Sequence, residues 1–376
     1  MDTFSNVTDP GLNTSENDEF ITENLSVIPT LAFTSTSYTT YHEKVIFWIM
    51  GTVGFLGNSL VIFVFLGSPT LRHKITNILI LHQSVIDAVA STFIALNNGF
   101  DGMGWIKEPG HLAYYFCKLW LSKYLIWAPM VVSTFNLVAL TFERYLGLIY
   151  PLLYKRYFTK KGVCVTICIV WITGLAFMSF SVLTTELKGK VCSTWSEWPS
   201  QMFQNVFGVI IIVFDFIIPI CIMSFCYGRI TLMIHREVRM PSASQQREKL
   251  MQKARFNMIR TLLLVSICFF ICFVWDSVYY LLYNLGIPVG SFTSPMYQFG
   301  VVVRFANCCV NPFIYALSFK AFQKSLKSAF FCGAKGSTGS QTISETRNSR
   351  ANPSTTVVSD QVAETIAVTT IESNQI

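Results

Sequence analysis

The sequence predicts an all-α membrane protein: a bundle of seven transmembrane helices followed by a short amphipathic helix on the inner surface. Three observations carry this. Only 13% of the 376 residues are charged, 52% are hydrophobic and 15% aromatic, where a soluble domain carries about 25% charged residues. Seven apolar stretches reach the roughly 20 residues that a helix needs to cross the hydrocarbon. The Lys and Arg residues gather on alternate sides of those stretches. Low charge excludes an ordinary soluble globule, and the aromatic content excludes disorder throughout.

The stretches are Val45 to Leu66, Ile75 to Asn97, Leu125 to Phe142, Val163 to Thr185, Phe203 to Gly228, Thr261 to Ile287 and Phe292 to Phe319. They are too long for barrel strands of about 9–11 residues. Orientation follows from the basic residues beside them. Arg72, Lys74, Lys155, Arg156, Lys160 and Lys161 flank one side, and eight more lie between Arg229 and Arg260. The other side has few, which places the N-terminus outside and the C-terminus inside. The net charge of +7 is therefore a topology signal and calls for no nucleic acid.

The ends read differently. Residues 1–43 are polar and acidic, with no basic stretch leading a short apolar one, so no cleavable signal is expected. They hold three glycosylation sequons, at Asn6, Asn13 and Asn24. Of eleven cysteines, only Cys117 and Cys192 fall at the outer surface, where disulfides persist. Phe319, Phe322 and Leu326 share one face of a helix over 320–332, with Lys320, Lys324 and Lys327 on the polar side; such a helix lies on the inner leaflet. Cys332 follows at the membrane surface as a candidate for palmitoylation, the alternative being an unmodified cytosolic Cys. Residues 333–376, rich in Ser and Thr, are expected to be disordered.

Gly57-Asn58, Asp87, Cys117, Glu143-Arg144-Tyr145, Trp171, Pro219, Tyr227 and Asn311-Pro312-Phe313-Ile314-Tyr315 occur in the order found in rhodopsin-like (class A) G-protein-coupled receptors, which the chain resembles from about Lys44 to Cys332. The resemblance implies residues 44–319 as a receptor domain and a plasma-membrane location. Its partners would be an extracellular ligand, a heterotrimeric G protein, and arrestin and receptor kinases acting on the tail. It implies no required cofactor and no enzymatic role, and no HExxH, GxSxG or P-loop pattern occurs. A receptor that binds without coupling is the alternative. A transporter is a more distant one, since no internal repeat is evident.

Three groups of site residues follow from the resemblance. Asn58, Asp87, Ser133, Asn307 and Asn311 match an allosteric sodium pocket, the alternative being a neutral hydrogen-bonded cluster. Glu143, Arg144, Tyr145, Tyr227, Phe269, Phe273, Asn311, Pro312 and Tyr315 match the switch that meets the G protein. The sixth stretch departs from the family: Phe273 stands where Trp is usual, and Trp275 where Pro is usual. Cys117 and Arg144 are also further apart than is common, and Pro129 between them is expected to mark a bulge.

The ligand group rests on embedded charge. No Asp lies in the outer half of the third stretch and no Lys in the seventh, which excludes amine and retinal binding by the usual groups. Asp215, Asp276 and Arg304 sit in the outer halves of three stretches, where ionisable residues call for a partner or a function. Arg304 is eight residues, about 12 Å, before Pro312. With Tyr124, Trp127 and Tyr279 they form an expected pocket whose aromatic and mixed-charge walls suit a peptide. An internal Arg304–Asp276 salt bridge with no ligand role is the alternative.

Overall fold

The structure is a computed structural model that describes residues 41–72, 74–99, 110–194, 197–239, 246–292 and 294–331. The three sequons, Cys332 and the Ser/Thr-rich tail lie outside these residues. Among the described residues, seven helices are long and apolar enough to cross a membrane: His42–Gly67, Ile75–Gly99, His111–Ile149, Lys160–Leu183, Gln201–Arg236, Phe256–Asn284 and Pro295–Ser318. They correspond one for one to the seven stretches. Leu56, Phe63, Ile172 and Phe225 point outward, as expected where lipid replaces water. Inside, Leu79, Leu137, Leu140, Phe269, Phe273 and Tyr315 form the main core.

Three spans contain a proline, and each handles the missing N–H differently. In the fifth span Pro219 leaves the carbonyl of Asp215 without its donor one turn on. A π-helical turn, Val213–Ile217, widens the helix just before it, with the Ile218 N–H bonded to the Val213 carbonyl. In the seventh span Pro312 deprives the carbonyl of Cys308, which instead accepts from Asn58 Nδ2 at 2.8 Å. In the third span the expected bulge is present but lies before Pro129. A π turn over Phe116–Leu121 ends at Lys123, whose φ of 60° is left-handed, and a regular helix then runs Tyr124–Ile149 through Pro129. The wide turns take up the extra residues between Cys117 and Arg144.

The disulfide is formed between Cys117 and Cys192. Cys192 belongs to a hairpin of β1, Glu186–Lys188, and β2, Val191–Ser193, in which Leu187 pairs with Cys192. Its two-residue loop opens with Gly189 at φ 63°, a conformation that suits glycine. Lys188 Nζ binds Glu197 Oε1 at 2.6 Å and Glu186 Oε2 at 3.2 Å.

The seventh span begins with Ser294 as N-cap, its Oγ accepting from the Tyr297 N–H at 3.3 Å, and Pro295 in the first turn. Past its end, the amphipathic helix Lys320–Phe331 docks by Phe322, whose ring lies 5.9 Å from that of Phe65. Gln323 Nε2 donates to the carbonyls of Ala316 and Leu317, at 2.9 Å each. This satisfies acceptors that the helix end would otherwise leave open.

Candidate functional site

Three clusters of polar side chains sit at successive levels of the bundle. In the one towards the Cys117–Cys192 end, Arg304 on the seventh span donates from Nη1 to Asp276 Oδ2 of the sixth at 2.7 Å, and from Nη2 to Asp215 Oδ2 of the fifth. All three are buried. The π turn around Asp215 belongs to the same local distortion that Pro219 imposes. The guanidinium carbon lies 4.3 Å from the centre of the Phe273 ring and 5.3 Å from that of Trp127, distances at which an aromatic face attracts a cation. Two carboxylates on one guanidinium leave one net negative charge. Asp215 Oδ1 and Arg304 Nε, both buried, have no hydrogen-bond partner among the described residues.

Of the six expected ligand residues, Trp127, Asp215, Asp276 and Arg304 are thus brought together. Tyr124 and Tyr279 are not. Tyr124 turns its hydroxyl to the Leu175 carbonyl at 3.1 Å, towards the fourth span. Tyr279 spends its hydroxyl on the loop before the seventh span, at 3.0 Å from Val289 O, Ser291 O and Ser294 Oγ. The internal salt bridge foreseen as the alternative is present, with Asp215 as a third member. Phe273, read from sequence as a switch residue only, is also the wall against which Arg304 stacks.

The middle cluster surrounds Asp87, which is fully buried. Its Oδ1 accepts from Ser133 Oγ and Gln83 Nε2, both at 3.0 Å, and its Oδ2 from Asn311 Nδ2 at 2.8 Å and Gln83 Nε2 at 3.2 Å. Gln83 Oε1 accepts from Asn136 Nδ2 at 2.8 Å. Asn136 Oδ1 pairs with His82 Nδ1 at 2.9 Å, and His82 Nε2 accepts from the Trp171 indole at 2.8 Å. Asn58 donates to Cys308 O and Gly54 O instead, so it mends a helix and does not reach the carboxylate. Asn307 Oδ1 and Asn311 Oδ1 are buried without a partner. The carboxylate is met by N–H and O–H donors.

Gln83, Asn136 and His82 were missed by sequence reasoning. The signal was available: each is a polar side chain in an apolar stretch, and Gln83 lies one turn from Asp87 on the same helix face.

At the opposite end of the bundle Glu143 is buried and holds the guanidinium of Arg144, which also reaches Thr76 of the second span. Thr76 Oγ1 donates to Glu143 Oε1 at 2.9 Å. Tyr154, in the short helix Pro151–Tyr157, hydrogen-bonds the same pair; burial first, and the charge of Glu143 next, raise its phenol above the ordinary value. Arg144 is thereby turned inward. Tyr227 lies 3.5 Å from Thr141 Oγ1, and the Tyr315 hydroxyl is buried without a partner. Phe269 packs on Phe273 with ring centres 4.2 Å apart. Tyr145 faces away from the Glu143–Arg144 pair, against Tyr150 and Phe225.

A profile of the 7 transmembrane receptor (rhodopsin family) matches residues 57–315. The chain is 28% identical to galanin receptor 2b of Danio rerio over 295 residues, 77% of this chain and 75% of that one. It is 25% identical to galanin receptor type 1 of Rattus norvegicus over 296 residues, 77% and 82% of the two chains. It is 27% identical to galanin receptor 2a of Danio rerio over 296 residues, 77% and 78%. These matches favour neither a transporter nor a receptor that does not couple. With seven spanning helices, the Cys117–Cys192 disulfide and the ordered motifs in place, the chain belongs to the rhodopsin family of seven-transmembrane, G-protein-coupled receptors, which are multi-pass proteins of the plasma membrane and need no cofactor.

Proposed function

We propose that the receptor takes a peptide at its outer face and passes the binding to a heterotrimeric G protein at its inner face. The peptide class is supported by relatives named as galanin receptors. The observation that carries the reading is the buried ion triad of Asp215, Arg304 and Asp276. Its net negative charge and unpartnered Asp215 Oδ1 give a cationic peptide group something to bind. The stack of Arg304 on Phe273, and of Phe273 on Phe269, gives that binding a path inward.

Binding a cation at the triad loosens the hold of Asp215 on Arg304, and the stack beneath it then favours a second arrangement of the sixth span. In that arrangement Arg144, Tyr227 and Tyr315 face the G protein. The same reading places the N-terminus outside and makes Asn6, Asn13 and Asn24 glycan acceptors and Cys332 a palmitoylation site. Kinases and arrestin would act on the Ser/Thr-rich tail.

A peptide library screened by guanine-nucleotide exchange tests this, with Arg144→Ala as the uncoupled control. Activating peptides should lose at least about tenfold in potency at Asp215→Asn. Equal potency at the variant, or activity only from anionic or lipid ligands, would overturn the triad as the contact.

A further inference from the structure

We infer that the side-chain amide of Gln83 takes the place of a cation at Asp87, so that this receptor does not bind sodium in the middle of its bundle. The direction of the hydrogen bonds that lead to Asp87 through Gln83 is fixed from the far end. An indole N–H only donates, so His82 Nε2 must accept from Trp171, and the ring hydrogen sits on Nδ1. That hydrogen goes to Asn136 Oδ1, which leaves Asn136 Nδ2 to donate to Gln83 Oε1. The Gln83 NH2 group therefore faces the carboxylate. The amide cannot be turned over without breaking the whole relay.

At that position the NH2 group lies within hydrogen-bond distance of Asp87 Oδ1, Asp87 Oδ2 and Ser133 Oγ. These are oxygens that a hard cation would need as ligands. Ser133 has its hydrogen on Asp87, and Asn311 presents N–H, not oxygen, to the carboxylate. Both Asp87 oxygens thus have two donors each, about the full capacity of a carboxylate. An approaching sodium ion would meet the positive ends of N–H dipoles. The buried carbonyl oxygens of Asn307 and Asn311, which lack a partner among the described residues, suit ordered water, which can donate to both.

The test needs no ligand, so it stands or falls apart from the peptide reading. Purified receptor is melted in sodium chloride and in potassium or choline chloride at equal ionic strength. The natural protein should show the same Tm in all three. Gln83→Leu frees the carboxylate and Ser133, and should gain a sodium-specific rise of a few degrees at about ten times the new Kd. Asp87→Asn added to it should abolish that rise. A sodium-specific rise in the natural protein, removed by Asp87→Asn, would overturn the inference, and that measurement does not depend on any Gln83 variant folding. A folded Gln83→Leu without a sodium response would equally overturn it, since the amide would then not be what keeps the ion out.

Discussion

Asn58 donates to the carbonyl of Cys308 at 2.8 Å, the carbonyl whose helical partner Pro312 has removed. A side chain of the first span thus completes the backbone of the seventh. Asn58→Ala leaves that buried oxygen unsatisfied and should cost about 1–3 kcal/mol. Pro312→Ala restores the backbone N–H, so in its presence Asn58→Ala should cost less. Thermal melts of the single and double variants measure the coupling. Additive losses would show that the two residues do not act on the same oxygen.

Much of this was legible in the sequence, and the limits have physical causes. Span number and position follow from hydrocarbon thickness, and all seven are where the apolar stretches lie. Asp215, Asp276 and Arg304 stood out because charge is rare inside a membrane. That one Arg would hold both acids was not legible, because the three lie on separate spans and only helix rotation decides which meet. Gln83 escaped notice because a neutral amide carries no such flag, yet it contacts both Asp87 oxygens. Pro129 announced a bulge but not its place, since the π turn at Phe116–Leu121 answers to the disulfide end of the helix. Tyr124 and Tyr279 were assigned by position alone, and their hydroxyls went to carbonyls that local geometry supplied.

The ion triad makes a prediction about stability without ligand. Arg304→Met removes the cation and leaves two carboxylates buried side by side, which should cost about 3–5 kcal/mol. Asp215→Asn and Asp276→Asn added to it remove the stranded charges and should recover most of the loss. Melting curves of the single and triple variants decide this. A single variant as stable as the natural protein would mean that the triad is solvated and holds nothing together.

Arg144 is turned inward by Glu143, Thr76 and Tyr154. Glu143→Gln weakens a charge-assisted contact and should raise exchange without ligand several-fold. Tyr154→Phe should do the same to a smaller extent. The Tyr154 phenol has a folded value above its unfolded one of 10.0. Its contribution is therefore complete below pH 10.0 and is lost as pH climbs through the folded value. Between about pH 6 and 9 the Tyr154→Phe difference should be flat. A difference that titrates in that window would place another group in control.

Cys117 and Cys192 join the start of the third span to the hairpin after the fourth, 75 residues on. Opening this bond frees a long loop, and Cys192→Ser should cost about 2–5 kcal/mol. The hairpin keeps its own Leu187–Cys192 pairing and Gly189 turn, so its local shape does not need the bond. Surface expression should fall in Cys117→Ser, Cys192→Ser and the double variant alike. A double variant clearly worse than either single one would mean that the cysteines act separately.

The sixth span carries Trp275 where the family has a proline, and the helix runs from Gln246 to Asn284 without interruption. The Trp275 indole donates to the Met296 carbonyl at 3.0 Å, and its ring lies on Gly300: a Cβ there would fall 2.5 Å from Cδ1. Instead of a hinge, this level has a tie between the sixth and seventh spans. Trp275→Phe keeps a ring on Gly300 but drops the hydrogen bond, and should lower stability by about 1 kcal/mol. Gly300→Ala forces the indole aside and should remove the same bond. If the tie restrains the sixth span, both variants raise exchange without ligand, and combining them adds little, because the second change acts on a contact already lost. Unchanged exchange in both, with Tm lowered, would make the tie a packing feature and return the control of movement to Phe273 and Phe269 below it.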